Sequence, residues 1–159
     1  MPNIPSVDLN NFLSDDKVLR NNFVKKLGKA YQDIGFVALK GHFLNDLDIE
    51  FIYKSIKTFF NLSQEIKNKY ELEGFSGQRG YTSFGKEHAK GKEYGDLKEF
   101  WHFGQYLDDS EYSQFGYPKN IYVKEVPEFN EIGKTVYKAL EKTAIYVLRA
   151  ISLHLDLDE

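Results

Sequence analysis

Apolar positions recur every three or four residues in three stretches of the chain, and they alternate or cluster in several shorter ones. Leu19, Phe23, Leu27, Ala30 and Ile34 share one helical face. Ser14 is the expected N-cap of that helix, Asp15 and Asp16 suit the positive end of its dipole, and Gly35 is placed to end it. Leu47, Ile52, Ile56 and Phe59 or Phe60 form a second stripe behind the cap Asn45, and Ser63 opens a further turn or two through Tyr70. Phe129, Ile132, Val136, Leu140, Val147, Leu148, Ile151 and Leu155 mark a third face, with Pro127 at a first helical position. A helix over residues 127–155 would be about 43 Å long.

The remaining apolar segments read as strands. Residues 4–9 alternate behind Pro5, residues 36–39 form a short buried-type run closing at Gly41, and residues 97–103 are aromatic with period two. Between Leu72 and Gly95 the helical period disappears and Gly stands at 74, 77, 80, 85, 91 and 95, which predicts loop and strand. The result is an α+β chain of three main helices and about four short strands, with no linker that would split it. A helix as long as the last one needs a surface on which to bury its stripe. So few strands are too small a surface, and the pattern therefore predicts an incomplete fold.

Composition narrows the function classes. Net charge is −3, which leaves no electrostatic footprint for nucleic acid or an anionic membrane. No cysteine is present, which removes disulfides, thiolate metal sites and cysteine nucleophiles and fits a reducing cytoplasm. Residues 1–20 lack the basic-then-apolar pattern of a signal peptide, and no apolar run approaches a membrane span. The 13 Phe and 11 Tyr supply enough apolar area for a core or an aromatic wall.

Candidate chemistry is sparse. Residues 80–86, GYTSFGK, fit seven positions of a phosphate-binding P-loop, but Glu87 stands where the magnesium-binding hydroxyl belongs, and no apolar helix follows. His154 and Asp156 have the His-x-Asp spacing of a facial iron triad, yet no second His follows and the pair lies at a helix end, where His154 suits the dipole. His42 reads as a turn residue and His88 as a solvated one. On the strand over residues 97–103, Lys98, Phe100 and His102 share one face, and Leu97, Glu99, Trp101 and Phe103 the other. His102 would line a pocket or sit satisfied in a core; a register slip of one would bring Trp101 to the pocket instead. Arg79 could clamp a carboxylate at the mouth of an aromatic cleft or be a solvated loop residue. Glu87, Glu93, Asp96 and Glu99 interleave with Lys86, Lys90, Lys92 and Lys98 as a mixed-charge surface.

Several segments in order resemble one family. Residues 4–9 (IPSVDL), residues 34–42 (IGFVALKGH), residues 59–67 (FFNLSQEIK), residues 79–81 (RGY) and residues 96–100 (DLKEF) are similar to the N-terminal motifs of the isopenicillin N synthase-like iron(II)/2-oxoglutarate oxygenases. Lys40-Gly41-His42 departs from that family's Asn-His-Gly. The resemblance implies that residues 1–159 are the helical part and first strands of a double-stranded β-helix, a jelly roll whose catalytic C-terminal portion is absent. It implies iron(II) and 2-oxoglutarate in the intact enzyme, acting on a small organic molecule by hydroxylation, desaturation or ring closure, though some members do not use 2-oxoglutarate. None of the family's metal or cosubstrate residues carries over, so no catalytic or metal-binding residue is assigned, and no cofactor is expected to bind this chain alone. Arg79, Tyr81, Phe100 and His102 are the candidates for substrate contact. The expected partners are the substrate and the missing half of the protein, with no nucleic acid or membrane. The rival expectation is a standalone binding or interaction module.

Overall fold

The computed structural model describes residues 3–74, 77–88, 91 and 94–158. The chain divides into two compact units, one made of residues 1–45 with 139–159 and one of residues 46–138.

In the first unit, β1 (Ser6–Asp8) pairs in parallel with β2 (Ala38–Lys40), in the register Val7 to Leu39. Parallel strands need a crossover, and two helices supply it: α1 (Leu9–Leu13) and α2 (Lys17–Asp33). The Asp8 carboxylate caps α1 by accepting from Asn10 N–H at 3.0 Å. The periodicity places α2 correctly but misassigns its cap. Asp16, not Ser14, accepts the Val18 and Leu19 N–H groups, while Ser14 closes α1, a helix the pattern does not announce because one turn is too short to show a period. At the other end Gly35, at φ 82°, sends its N–H to the Ala30 and Tyr31 carbonyls. Val7, Leu9, Phe12, Phe23, Leu27 and Ala150 form the core. Leu19, expected inside, is exposed.

The second unit holds α3 (Asp46–Phe60), α4 (Gln64–Asn68), an antiparallel ribbon of β3 (Gly80–Thr82) and β4 (Phe100–His102), α5 (Asp109–Phe115), and the first turns of α6 (Pro127–His154). Ser63 caps α4 through the Ile66 N–H. The predicted strand over residues 97–103 is longer than the ladder that forms at Phe100–His102, because the strand pairs only where β3 runs beside it. The α5 helix has a capping box between Asp108 and Glu111 but no apolar period, and the pattern misses it. Phe59 centres the core: its ring stacks on Phe129 at 5.1 Å and meets Trp101 edge-on at 4.9 Å. Phe103 lies against Gly133, where a Cβ would come within 2.3 Å of its ring. Leu47, placed on the α3 stripe by spacing, is exposed.

The α6 stripe is covered unevenly. Phe129 and Ile132 are buried, whereas Leu140, Leu148 and Leu155 are 51%, 61% and 56% exposed. Among the described residues no helix is long and apolar enough to cross a membrane.

Candidate functional site

The β3–β4 ribbon carries the residues singled out by the sequence. Its register opposes Gly80 to His102, Tyr81 to Trp101 and Thr82 to Phe100. Side chains alternate across a ribbon, so Tyr81 and Trp101 share one face and Thr82, Phe100 and His102 the other. The expected alternation along β4 holds. The four candidate residues are therefore not gathered on one face: Tyr81 is separated from Phe100 and His102. Gly80 makes the crossing possible. Its φ is 75°, and a Cβ would fall 2.5 Å from the Tyr70 carbonyl oxygen and 2.3 Å from Ile121.

Tyr81 is 1% exposed and its hydroxyl is fully engaged. It donates to Glu99 Oε2 at 2.5 Å and accepts from Gln64 Nε2 at 3.0 Å. Lys67 Nζ reaches the same Glu99 oxygen at 2.7 Å and the Phe60 carbonyl at 3.3 Å. Burial pushes the Tyr81 hydroxyl up to about 12, with the Glu99 carboxylate adding to it. Burial would also raise the Glu99 carboxyl, but the Lys67 ammonium and the Tyr81 hydroxyl outweigh it and hold Glu99 below the usual carboxylate range. Glu99 is thus half-buried in an ion pair rather than part of a mixed-charge surface. A carboxylate on the Trp101 face of an aromatic strand needs a partner, and that alternation was the available signal. Lys98, by contrast, pairs with Glu87 and Asp96 at the surface, as expected. Lys90, Lys92 and Glu93 lie outside the described residues.

Arg79 is 8% exposed, so it is not a solvated loop residue. Its guanidinium donates to the carbonyls of Pro118 at 3.1 Å and Gln78 at 2.7 Å and to Gln105 Oε1 at 3.0 Å. It lies on the backbone of Gly104, where a Cβ would come within 1.8 Å of Cζ. The planar fork ties residues 104–118 to the start of β3.

On the opposite face Phe100 is half-buried and its ring contacts His102 at 4.8 Å. His102 is exposed, and its Nδ1–H donates to the Gly77 carbonyl at 2.5 Å. Thr82 is buried with no hydrogen-bond partner for its hydroxyl among the described residues. A cleft of about 680 Å³ is lined by Asn68, Glu71, Tyr81, Thr82, Lys86 and His88, among others, and neither Phe100 nor His102 is among its lining residues. Glu71 is held there by the Ser83 N–H and hydroxyl.

The donor set does not make a metal site. Among the described residues no group of three or more His, Asp or Glu side chains is placed to hold an ion. His154 lies against Gly28, and Asp156 follows in a left-handed turn at φ 55°. The described residues therefore do not fit a facial iron triad. Residues 80–86 run from β3 into a turn, and among the described residues no helix follows directly to complete a phosphate loop.

Residues 4–125 match the family model described as "non-haem dioxygenase in morphine synthesis N-terminal". The chain is 32% identical to leucoanthocyanidin dioxygenase of Malus domestica over 99% of its own length and 42% of the relative's. It is 29% identical to the 2-oxoglutarate-dependent dioxygenase thnC of Trichoderma harzianum, over 86% of this chain and 47% of that one. Among solved structures, a 2OG-Fe(II) oxygenase family protein from Caulobacter crescentus superposes with a TM-score of 0.82 at 32% identity, covering 99% of this chain and 50% of that one. A full-length Neurospora crassa protein, solved in complex with alpha-KG, has the same fold over 98% of this chain and 44% of its own, at TM-score 0.76 and 22% identity. The chain spans about half the length of these relatives.

Proposed function

We propose a function from the family to which this chain belongs, the N-terminal region of the non-haem 2-oxoglutarate–iron(II) dioxygenases. Its residues scaffold an oxygenase that acts on a small organic molecule, and its β3–β4 ribbon walls part of the substrate pocket. Iron(II) and 2-oxoglutarate belong to strands of a jelly roll contributed by the other half of the protein, and these 159 residues alone turn nothing over. The observation that carries this reading is that one chain matches about half of each relative while matching nearly all of itself.

Two features of the structure support it. Among the described residues both sheets are two-stranded, and although Glu71 bridges the outer edge of β3 at Gly80, a strand can still add beside β4. The exposed α6 leucines are the kind of surface a barrel would cover. At the site, Phe100 and His102 supply the contact surface toward substrate. Arg79 and Tyr81 set the shape of that wall through the bonds that hold them. A chain without cysteine is suited to a reducing cytoplasm, where we place the enzyme.

The test is the gene beyond codon 159 and its product. A continuing frame with His-x-Asp, a distant His and Arg-x-Ser, whose full product converts 2-oxoglutarate to succinate with iron(II), is expected. A stoichiometric iron(II) site on the 159-residue chain, found by anaerobic titration, would overturn it.

A second reading, a standalone binding module, is favoured by the two aromatic and aliphatic cores with fully buried centres. It requires a monodisperse chain with a cooperative melt, which size-exclusion chromatography and calorimetry decide.

A further inference from the structure

The first unit contains a polar hollow of about 410 Å³. It lies between β1, α1, α2 and the end of β2, and Asp8, Asn11, Asn22, Lys26 and Lys40 wall it, with Ser6 at the strand edge. Leu19, Asn22, Phe23 and Lys26 stand at i, i+3, i+4 and i+7, so α2 turns one face toward it. The exposure of Leu19 has its reason here. Its spacing puts it on the apolar stripe, but it is 41% exposed because it borders this hollow beside Val7 and Phe23.

The charges in it do not neutralise one another. Asp8 and Lys40 are opposite in the parallel register, yet they form no ion pair. The Asp8 carboxylate is committed at one oxygen only. Its Oδ1 accepts the Asn10 N–H at 3.0 Å and lies against Gly41, where a Cβ would come within 2.4 Å of it. Its second oxygen has no partner among the described residues. The same holds for the ammonium groups of Lys26 and Lys40 and the carboxamides of Asn11 and Asn22.

A plain anion would meet Lys26 and Lys40 but set its charge against Asp8, and a plain cation would face both lysines. A ligand that answers every charge here carries two carboxylates and one ammonium on a short apolar stem. We propose that this hollow binds an acidic α-amino acid, its carboxylates on Lys26 and Lys40 and its ammonium on Asp8. Its methylenes lie over Leu19 and Phe23, and the Asn11 and Asn22 carboxamides donate to its carboxylates. The hollow shares no residue with the β3–β4 ribbon, so this assignment and the oxygenase pocket stand or fall separately.

The probe is L-glutamate, titrated into the 159-residue chain by saturation-transfer NMR. Glutarate, which lacks the ammonium, and γ-aminobutyrate, which lacks one carboxylate, are the comparators. Saturable glutamate binding, tighter than either comparator, is expected. Lys26→Gln and Lys40→Gln, both at exposed sites, each weaken it about fivefold, the upper end of what an exposed ion pair contributes. Lys29→Gln, at a lysine outside the hollow that pairs with Asp33, leaves it unchanged. Asp8→Asn keeps an oxygen for the α1 cap and removes the charge, so it abolishes the preference for glutamate over glutarate. Absence of saturable glutamate binding, equal binding of either comparator by the parent chain, full affinity in both lysine variants, or a preference retained in Asp8→Asn would overturn the assignment.

Discussion

The imidazole of His154 lies on Gly28, so close that a Cβ at position 28 would stand 2.2 Å from the ring. The last turn of α6 can pack on α2 in this way only because residue 28 has no side chain. The first ring carbon is met, not the end of a flexible chain, so the clash cannot be relieved by a small rotation. Gly28→Ala is expected to destabilise by ~1–3 kcal/mol from overpacking, reduced by the ~1 kcal/mol that Ala gains in a helix. In a His154→Ala background the same change becomes stabilising. Urea melts of the four proteins of this cycle measure the coupling; additive effects would show that the contact is unimportant.

Arg79 and Gly104 form a second such pair. Arg79→Lys keeps the charge but loses the planar fork and leaves the Pro118 carbonyl and Gln105 Oε1 without a donor. A loss of about 2 kcal/mol is expected. Gly104→Ala displaces the guanidinium and reproduces the phenotype of Arg79→Ala. Hydrogen exchange resolves the effect to residues 104–120, and a variant with full protection there would contradict the assignment.

The Lys67–Glu99–Tyr81 group predicts a response at both ends of the pH scale. The folded Glu99 carboxyl is depressed, so its stabilisation is present above the unfolded carboxylate value and is lost as pH falls through the folded one. Tyr81 is raised from 10.0 to about 12, so the native state holds its proton more tightly. Stability falls as pH rises from the unfolded tyrosine value toward 12. Tyr81→Phe should reduce the slope of the alkaline limb, leaving the contributions of Tyr106, also raised to about 12, and of Tyr70, also raised. Denaturant midpoints across pH, with tyrosinate absorbance read in parallel, test both limbs.

Removing one partner of the pair is expected to cost more than removing both. Lys67 is 7% and Glu99 18% exposed at the side chain, so Lys67→Met leaves a carboxylate poorly hydrated, at the lower end of the ~3–5 kcal/mol typical of buried pairs. The double variant Lys67→Met, Glu99→Gln recovers part of that loss. Equal destabilisation by the single and double changes would refute the coupling.

The α6 stripe predicts self-association of the isolated chain. Leu140→Lys with Leu148→Lys should shift it toward monomer in sedimentation experiments while leaving the melting temperature nearly unchanged, because both side chains are already in contact with water.

Much of this chain was legible without coordinates. The three- and four-residue spacings located α2, α3 and α6, Gly35 marked its helix end, and the ordered motifs pointed to a family that the comparisons bear out. These are local properties: a period or a positive φ is written into neighbouring residues. What tertiary structure alone decided were relations between distant positions. Spacing could not tell that Asp16 rather than Ser14 caps α2, since both side chains are competent and packing picks one. Nor could it tell that Tyr81 faces away from Phe100 and His102, because the register of β3 against β4 is a long-range choice. The partners of Glu99 lie 18 and 32 residues away, and those of Arg79 up to 39. No local pattern encodes such pairings, because burial of charge is settled only when the elements that surround it have come together.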